Sequence, residues 1–304
     1  MKTTRRAVGE NIWLAQAGAP GPGGLPVYEV RPEVLESEEA VGRAMLDELE
    51  ATAAAKSGDV VIALLGGRGA QALHRLLGER ARAGDPGGLV ARLRVFTQDA
   101  LAPLRMESGF SFVRDFERLL GEEFFRRVKS FTPMRTDVTD LEAELGRYLE
   151  KLEAAGGLDI FFLGHGPEPG AASHLAYIRP GAGATAADLA GLIPISSSIL
   201  EHHIAKFKAG GSAVSAAEEA ECRHATHILT LGPAAILGAR RIVQSVVDAA
   251  TAPAKRASFR RVLETELEAD GAARARQLDE NPGLWVRLHP RVRSLVLPDL
   301  LAGA

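Results

Sequence analysis

Two segments of the sequence carry the side chains best suited to moving protons. Asp99 lies just past an apolar run that ends at Phe96, and Glu168 and His174 follow a second apolar run that ends at Leu163. A carboxylate and an imidazole can each donate or accept a proton when their pKa values lie near the working pH. These residues therefore predict a proton-transfer site. The same positions also suit structural roles, because Asp99 can cap a turn and His174 can be a hydrogen-bonding core residue.

A glycine turn offers a site for an anion. It consists of Gly66, Gly67, Arg68 and Gly69 and separates an apolar run from a helical pattern. Backbone N–H groups at a helix N-terminus bind anions, and a guanidinium can grip phosphate or carboxylate through two donors. The turn matches neither the GxGxxG dinucleotide pattern nor the P-loop. A tight strand-to-helix connection that needs positive φ is the structural alternative.

A group of cysteine and histidine residues offers side chains that could bind a metal ion. Cys222, His224 and His227 lie close together in the sequence, with His202 and His203 upstream. Cysteine and histidine ligands suit zinc, but this spacing matches no zinc pattern, and His227 is expected to enter a strand. We therefore predict no metal site and no cofactor.

The segments that could do chemistry all follow predicted strands. Apolar runs of strand length lie at residues 60–65, 93–96, 158–163, 227–231 and 293–297. Helical patterns alternate with them at residues 33–56, 70–82, 110–128, 140–155 and 234–249, and residues 25–30 predict an edge strand. This alternation, with glycine-rich turns after the strands, predicts an α/β fold: a doubly wound, mostly parallel sheet with helices on both faces. Its ligand crevice would lie at the carboxyl ends of the strands.

Length and composition limit the class of protein. The chain has 304 residues, 46% hydrophobic and 25% charged, as in folded globular proteins. Lys and Arg number 36 against 39 Asp and Glu, so the net charge of −3 gives no positive excess to attract nucleic acid or a membrane surface. No apolar run reaches the roughly 18 residues of a membrane span, and the single cysteine, Cys222, cannot form an internal disulfide. These features favour a cytoplasmic protein.

The beginning of the chain differs in character from the rest. Residues 1–24 end in a run of glycine and proline, and polar residues interrupt the apolar stretch that an export signal would need. We predict a flexible N-terminal arm at residues 1–24, which could also strap across a neighbour. Residues 25–304 are predicted to form a single α/β domain.

Four landmarks, in order, resemble the glucosamine-6-phosphate deaminase and 6-phosphogluconolactonase family over about residues 25–300. The turn at residues 65–69 lies where the family has a strand followed by S/T-G-G-S/T-x, and Phe96-Thr97-Gln98-Asp99-Ala100 resembles F-N-M-D-E. Residues 159–166 and 174–180 together resemble D-L-F-x-x-G-x-G-x-D-G-H-I-A-F-N-E-P. Leu288-His289-Pro290 resembles the L-Q-L-H-P of the deaminases, which favours that branch. The resemblance implies a Rossmann-like, three-layer fold of the sugar-phosphate isomerase and deaminase kind.

The resemblance also implies roles for individual residues. Asp99 matches the family's proton-transferring aspartate, His174 matches the histidine that assists ring opening, and Glu168 loosely replaces the family's aspartate near that histidine. The loop after the third strand adds further anion-binding residues to the glycine turn: Gly164, His165 and Gly166.

Several family residues are replaced in this chain. Ala100 stands where the family has a glutamate after the aspartate, and Arg179 stands where it has the glutamate that orients the histidine. The lysine of a G-x-x-K pattern is absent from residues 232–235. These replacements put the chemistry, rather than the fold, in question.

Together these observations predict an enzyme that acts on a phosphorylated or other anionic sugar by proton transfer at C1 and C2. The alternative is a non-catalytic sugar-phosphate sensor or scaffold of the same fold, which the replaced residues favour. A lactone hydrolase is a third possibility, disfavoured by the deaminase-like residues 288–290. The expected partners are a small-molecule sugar phosphate or anionic sugar and, from the family, further copies of the chain in a homo-oligomer.

Overall fold

The computed structural model of the protein describes residues 2–6, 11–19, 21–247, 249–250 and 252–301. Its strands are β1 (Lys2–Arg6), β2 (Ile12–Gln16), β3 (Pro32–Val34), β4 (Val60–Leu64), β5 (Leu93–Thr97), β6 (Asp99–Ala102), β7 (Ser130–Thr132), β8 (Ile160–Leu163), β9 (Gly166–Pro167), β10 (Ser173–His174), β11 (Asp188–Pro194), β12 (His227–Leu231), β13 (Arg241–Val246) and β14 (Val292–Val296). Its α-helices are α1 (Glu38–Ala54), α2 (Gln71–Arg82), α3 (Phe112–Arg127), α4 (Leu141–Ala154), α5 (Ser197–Ala209), α6 (Ala216–Arg223), α7 (Pro233–Gly238), α8 (Ala254–Glu264), α9 (Gly271–Glu280) and α10 (Pro298–Leu301).

The larger sheet forms the core of the protein. In the described residues it has seven strands in the order β3-β14-β13-β8-β4-β5-β7, and every neighbouring pair is parallel. All residues of β4 and β8 are buried, as expected of continuous apolar runs covered on both faces. The predicted α/β fold with a parallel sheet and helices is confirmed.

The order of the parallel strands reverses at β4. β5 and β7 lie on one side of β4, whereas β8, β13 and β14 lie in succession on the other. In open α/β sheets, ligands bind outside the carboxyl ends of the strands where the order reverses in this way. The crevice beyond β4, β5 and β8 is therefore the expected site.

A second, antiparallel sheet supports one side of that crevice. In the described part of the chain it has five strands in the order β1-β2-β11-β12-β6. The prediction that residues 227–231 belong to the parallel sheet is wrong, because β12 pairs antiparallel with both β11 and β6. An apolar run shows burial but does not reveal the strand's partner. β6 begins at Asp99, directly after Thr97-Gln98, and pairs Asp99 with Thr230.

Residues 11–16 are not part of a flexible arm, so that prediction is wrong there. β2 lies between β1 and β11, and the side chain of Trp13 is fully buried. Asn11 Nδ2 and Trp13 Nε1 donate hydrogen bonds to the carbonyl oxygen of Ala182, at 2.8 and 3.1 Å. The local pattern could not show this, because the partner strand β11 lies far along the chain.

Two other predicted elements differ from the structure. Residues 25–30 form no strand, and the edge of the parallel sheet is β3 instead. Residues 234–249 are helical only as far as Gly238, and β13 follows. Ile242 and Val243 are β-branched and fully buried between β8 and β14, which favours an extended chain over a helix.

Candidate active site

One cavity, with about 520 Å³ of empty space including its mouth, lies beyond the carboxyl ends of β4, β5 and β8. Arg68, Asp99 and His174 all line it, although they come from three separate parts of the chain. Its lining also includes most of the residues predicted to bind an anion: Gly66, Gly69, Gly164, His165 and Gly166. The loops singled out from the sequence therefore converge on a single space. Gly67 and Glu168 lie behind the lining, where each packs against a residue of the cavity.

Asp99 is a buried carboxyl group with an unusual pKa. The side chain stands at the start of β6, and the residue is only 4% exposed. Burial raises its pKa from the ordinary value of 3.8 to about 7, against the opposing effects of the Lys206 charge and a hydrogen bond from Gln98. A group that exchanges its proton near neutral pH can serve as a base or as an acid.

Glu168 and His174 form a hydrogen-bonded pair. His174 Nδ1 lies 2.7 Å from Glu168 Oε1, and Ser198 Oγ donates to the other carboxylate oxygen at 2.5 Å. Burial alone would raise the pKa of Glu168, but the hydrogen bonds from His174 and Ser198 outweigh it and hold this pKa below its ordinary value. Burial lowers the pKa of His174 despite the carboxylate beside it. A neutral His174 therefore donates from Nδ1 and keeps a lone pair on Nε2.

This pair replaces the contact between the histidine and its orienting glutamate, which the residues at positions 174 and 179 cannot form. Arg179 occupies the position of the family's orienting glutamate, but Glu168 supplies the carboxylate from the loop between β9 and β10. The two short strands pair His174 with Gly166 and so bring the loop back onto the histidine. The local sequence could not show this hairpin, because each of its strands is only two residues long.

Two glycines are required by close contacts in the site. A Cβ at Gly66 would lie 1.9 Å from the Phe112 ring, and a Cβ at Gly166 would lie 1.8 Å from His174 Nε2. Neither space admits a side chain, because such distances are far inside van der Waals contact. The glycines therefore let a phenylalanine and the histidine lie directly on the backbone of the two loops.

Arg68 is held by a carboxylate at the cavity wall. Its Nε and Nη2 atoms lie 2.9 and 2.8 Å from Oε1 of Glu38, at the start of α1. Its place in the glycine turn predicts that this guanidinium grips a ligand anion through two donors. In the structure two of its nitrogen atoms contact Glu38 instead.

Two lysines missed by the sequence analysis line the cavity. Lys206 comes from α5, and its Nζ lies 5.1 and 5.2 Å from the ring centres of Phe112 and Tyr177 and donates to the Tyr177 hydroxyl at 3.1 Å. Its side chain packs on Gly67, whose φ of 76° suits glycine. Lys255 is buried in α8, just after β13. It was missed because β13 was predicted as helix, so the lysine after a strand was sought at residues 232–235 instead.

A chain of hydrogen bonds fixes the Lys206 ammonium group. Tyr177 Oη lies 2.9 Å from His203 Nδ1, and His203 Nε2 lies 2.8 Å from the carbonyl oxygen of Phe110. Because a carbonyl only accepts, His203 donates from Nε2, Tyr177 donates to Nδ1, and the Tyr177 oxygen accepts from Lys206. Burial lowers the pKa of His203 to about 3, which keeps its ring neutral.

The cysteine and histidine group does not converge. His224 Nδ1 contacts the carbonyl oxygen of Ala220 at 2.6 Å, and His227 Nδ1 contacts Thr226 Oγ1 at 2.8 Å. Over the described ranges, no three His, Cys, Asp or Glu side chains stand together as a metal ion would need. Nor does any described helix have the length and apolar character to cross a membrane.

The parallel sheet with a crevice at its strand ends defines an α/β fold of the Rossmann-like, three-layer kind, and solved structures share this fold. No family model and no curated protein sequence matches the chain. A monomeric glucosamine-6-phosphate deaminase shares 19% identity over 89% of this chain and 98% of its own, with a TM-score of 0.67. The 6-phosphogluconolactonase from Trypanosoma cruzi shares 14% over 92% and 98%, with a TM-score of 0.63, and that from Shewanella baltica shares 14% over 90% and 99%, with 0.61. The resemblance seen in the sequence is therefore confirmed at the level of the fold.

Proposed function

We propose that the protein is an enzyme that transfers a proton between C1 and C2 of an open-chain anionic sugar, most simply a sugar phosphate. The observation that carries this proposal is the single cavity that gathers Asp99, the Glu168–His174 pair and two lysines. Proteins of the same fold include one described as a glucosamine-6-phosphate deaminase and others described as 6-phosphogluconolactonases. A sugar phosphate is thus a ligand class consistent with both the fold and the charges.

The anionic group of the substrate would lie at the lysines. Lys255 and Lys206 bring two positive charges to the cavity, and the backbone of residues 66–69 lies beside them ahead of α2. Charge-assisted hydrogen bonds are stronger in a partly buried site than in water, so two ammonium groups favour a phosphate or a carboxylate. The Glu38 contact of Arg68 leaves this role chiefly to the lysines.

Asp99 and His174 would divide the proton transfers between them. His174 Nε2 can accept the proton of the anomeric hydroxyl and return it to the ring oxygen, which opens the ring to an aldehyde or a ketone. The Asp99 carboxylate can then take a proton from the carbon beside the carbonyl group and deliver it to the neighbouring carbon. In the enediolate formed between these steps, O1 takes up the proton that the hydroxyl group at C2 gives up. The carbonyl group thereby moves from C1 to C2 while one proton moves from C2 to C1, and no atom or electron is gained or lost. Fixed placement of the base supplies much of the rate.

A substrate screen tests the proposal. The protein is incubated with glucosamine 6-phosphate, glucose 6-phosphate and related sugar phosphates, and released ammonia and formed ketose are measured. Turnover that Asp99→Asn abolishes supports the proposal. Turnover that survives Asp99→Asn contradicts the role of Asp99. If thermal unfolding shows stabilisation by the same ligands but none is converted, the protein is a sensor; if none stabilises it, a scaffold role is left.

One observation favours lactone hydrolysis as a second candidate. His174 Nε2 carries a free lone pair while Glu168 holds Nδ1, an arrangement that can take a proton from an attacking water. His289, in the segment that had disfavoured this reaction, is buried and bonds through Nε2 to the carbonyl oxygen of Ala239 at 2.8 Å, outside the cavity lining. Hydrolysis of 6-phosphogluconolactone that depends on His174 but not on Asp99 would support this candidate against the first.

A further inference from the structure

Two polar residues of the cavity have no part in the proposed proton transfers. His165 follows β8 and Gln98 follows β5, and they are only 4% and 6% exposed. Each has a buried acceptor atom, His165 Nδ1 and Gln98 Oε1, for which the described residues provide no hydrogen-bond partner. In the family motif that the sequence resembles, the position of Gln98 is a methionine, and the position of His165 is not restricted to a polar residue. Buried acceptors of this kind are costly when unpaired, so they call for a donor.

Hydrogen bonds define which proton His165 carries. Its Nε2 lies 2.8 Å from Ser258 Oγ, and that hydroxyl donates to the carbonyl oxygen of Lys255 at 3.2 Å. Because the serine has one proton and gives it to the carbonyl, it accepts from His165 Nε2. The Nδ1 atom therefore has no proton and is an acceptor. Burial lowers the pKa of His165 well below its ordinary value, so the ring stays neutral.

The amide of Gln98 is oriented in a similar way. A hydrogen bond from its side chain favours the charged form of Asp99 and helps to lower the pKa of that carboxyl group. Only a hydrogen bond donated to the carboxylate lowers the pKa in this way, so the amide nitrogen of Gln98 is the donor and Oε1 is left over. One unpaired acceptor thus lies beside the base, and the other lies beside the helix that carries Lys255.

We propose that His165 Nδ1 and Gln98 Oε1 form a hydroxyl-recognition site that selects polyhydroxylated anions over simple anions. Each atom accepts a hydrogen bond from a hydroxyl group of the ligand whose anionic group lies at the lysines. This inference takes the ligand class from the proposed function. It adds that these two residues recognise the hydroxyl groups of that ligand. Sites built to pair a ligand hydroxyl discriminate strongly against ligands that lack it, because the acceptor is then left buried and unpaired.

Two ligands that differ only in their hydroxyl groups test the inference. Glucitol 6-phosphate and hexyl phosphate have the same chain length and the same charged group, and neither has a carbonyl group to be turned over. Binding is measured by calorimetry for the wild-type protein and for His165→Leu and Gln98→Met. We expect the wild type to bind glucitol 6-phosphate at least tenfold more tightly, and each variant to lose about tenfold for that ligand alone.

Two further variants guard against a purely structural effect. Ser258→Ala removes the acceptor that keeps the proton of His165 on Nε2, so the proton can also lie on Nδ1. We expect a smaller loss of affinity than in His165→Leu, again confined to glucitol 6-phosphate. His74→Leu removes a buried histidine outside the cavity and should leave the preference unchanged. Equal losses for both ligands, an unchanged preference in His165→Leu and Gln98→Met, or binding of neither ligand by the wild type would each overturn the inference. Selective binding without turnover of any sugar phosphate would defeat the proposed function alone, and turnover without the preference would defeat this inference alone.

Discussion

The two walls of the cavity are built in different ways. One wall, the glycine wall, consists of the loops after β4 and β8, residues 66–69 and 164–166, which follow the parallel sheet. The other, the charged wall, consists of the start of β6 with Asp99 and of α5 with Lys206. The glycine wall presents backbone to the cavity, whereas the charged wall presents the Asp99 carboxyl group and the Lys206 ammonium group. The division shows that the parallel sheet shapes the crevice, while the elements beside it supply much of its charge.

The largest expected effect comes from removing the proposed base, Asp99, from the charged wall. Asp99→Asn keeps the shape of the side chain but cannot accept a proton, so we expect kcat on whichever sugar phosphate is turned over to fall by about 10²–10⁴-fold. Asp115→Asn, at a buried carboxylate that pairs with Arg118 outside the cavity, should change kcat little and serves as the control. Similar losses in the two variants would show that burial, rather than position, makes the aspartate important.

A second variant tests whether Glu168, in the loop between β9 and β10, orients His174. Glu168→Gln replaces a carboxylate that only accepts with an amide that can also donate, so the tautomer of His174 is no longer fixed. We expect kcat to fall by about a hundredfold, with KM nearly unchanged, in steady-state kinetics. Ser198→Ala, which removes only the second bond to this carboxylate, should cost severalfold. A larger rise in KM than fall in kcat would contradict the orienting role.

A third comparison sets the two walls directly against each other through their cations. Lys206→Met removes an ammonium group of the charged wall, and we expect KM for a sugar phosphate to rise about tenfold. Arg68→Met removes the guanidinium of the glycine wall, which contacts Glu38, and KM should rise less than threefold. The reverse order would mean that Arg68 leaves Glu38 when the ligand binds.

The last expected effect concerns the stability of the fold and not the rate of turnover. Because the pKa of Asp99 is raised to about 7, the folded protein keeps a proton that the unfolded chain has lost above about pH 4, so this group makes stability fall as pH rises from about 4 to 7. The full difference is on the order of 4 kcal/mol. Asp99→Asn should therefore raise the Tm by several degrees at pH 8 and flatten the pH dependence. Denaturation scans at pH 5 and pH 8 measure this, and an identical pH dependence in both proteins would contradict it.

The glycine wall and the parallel sheet were predictable from the sequence because their causes are local. A continuous apolar run such as residues 60–65 indicates a doubly covered strand, and the glycines after it mark a tight turn. Asp99 was also found, since it follows a strand. The second sheet, which lies beside Asp99, could not be predicted. Its strands β6, β11 and β12 are joined by pairings between residues that are distant in the sequence, and no short window contains both partners.

The two lysines of the cavity could not be predicted for a similar reason, because their positions depend on contacts between distant parts of the chain. Lys255 follows a strand and lines the cavity, but the local pattern predicts that strand as part of a helix at residues 234–249. Lys206 lies within a helix, where a lysine most often faces solvent, and only the packing of α5 against Gly67 and Phe112 brings it inside. Glu168 was named from its place in the sequence, yet its contact with His174 depends on a hairpin too short to predict.

The position of β2 has a consequence for how the chain is made and handled. Trp13 is translated long before β11, so the pairing of its strand with β11 must wait until residues 188–194 have been made. A shortened form that begins near residue 25, which the glycine and proline run invites, would uncover an edge of β11 and the space filled by the indole ring. Expression plasmids should therefore keep this segment and place any purification tag elsewhere.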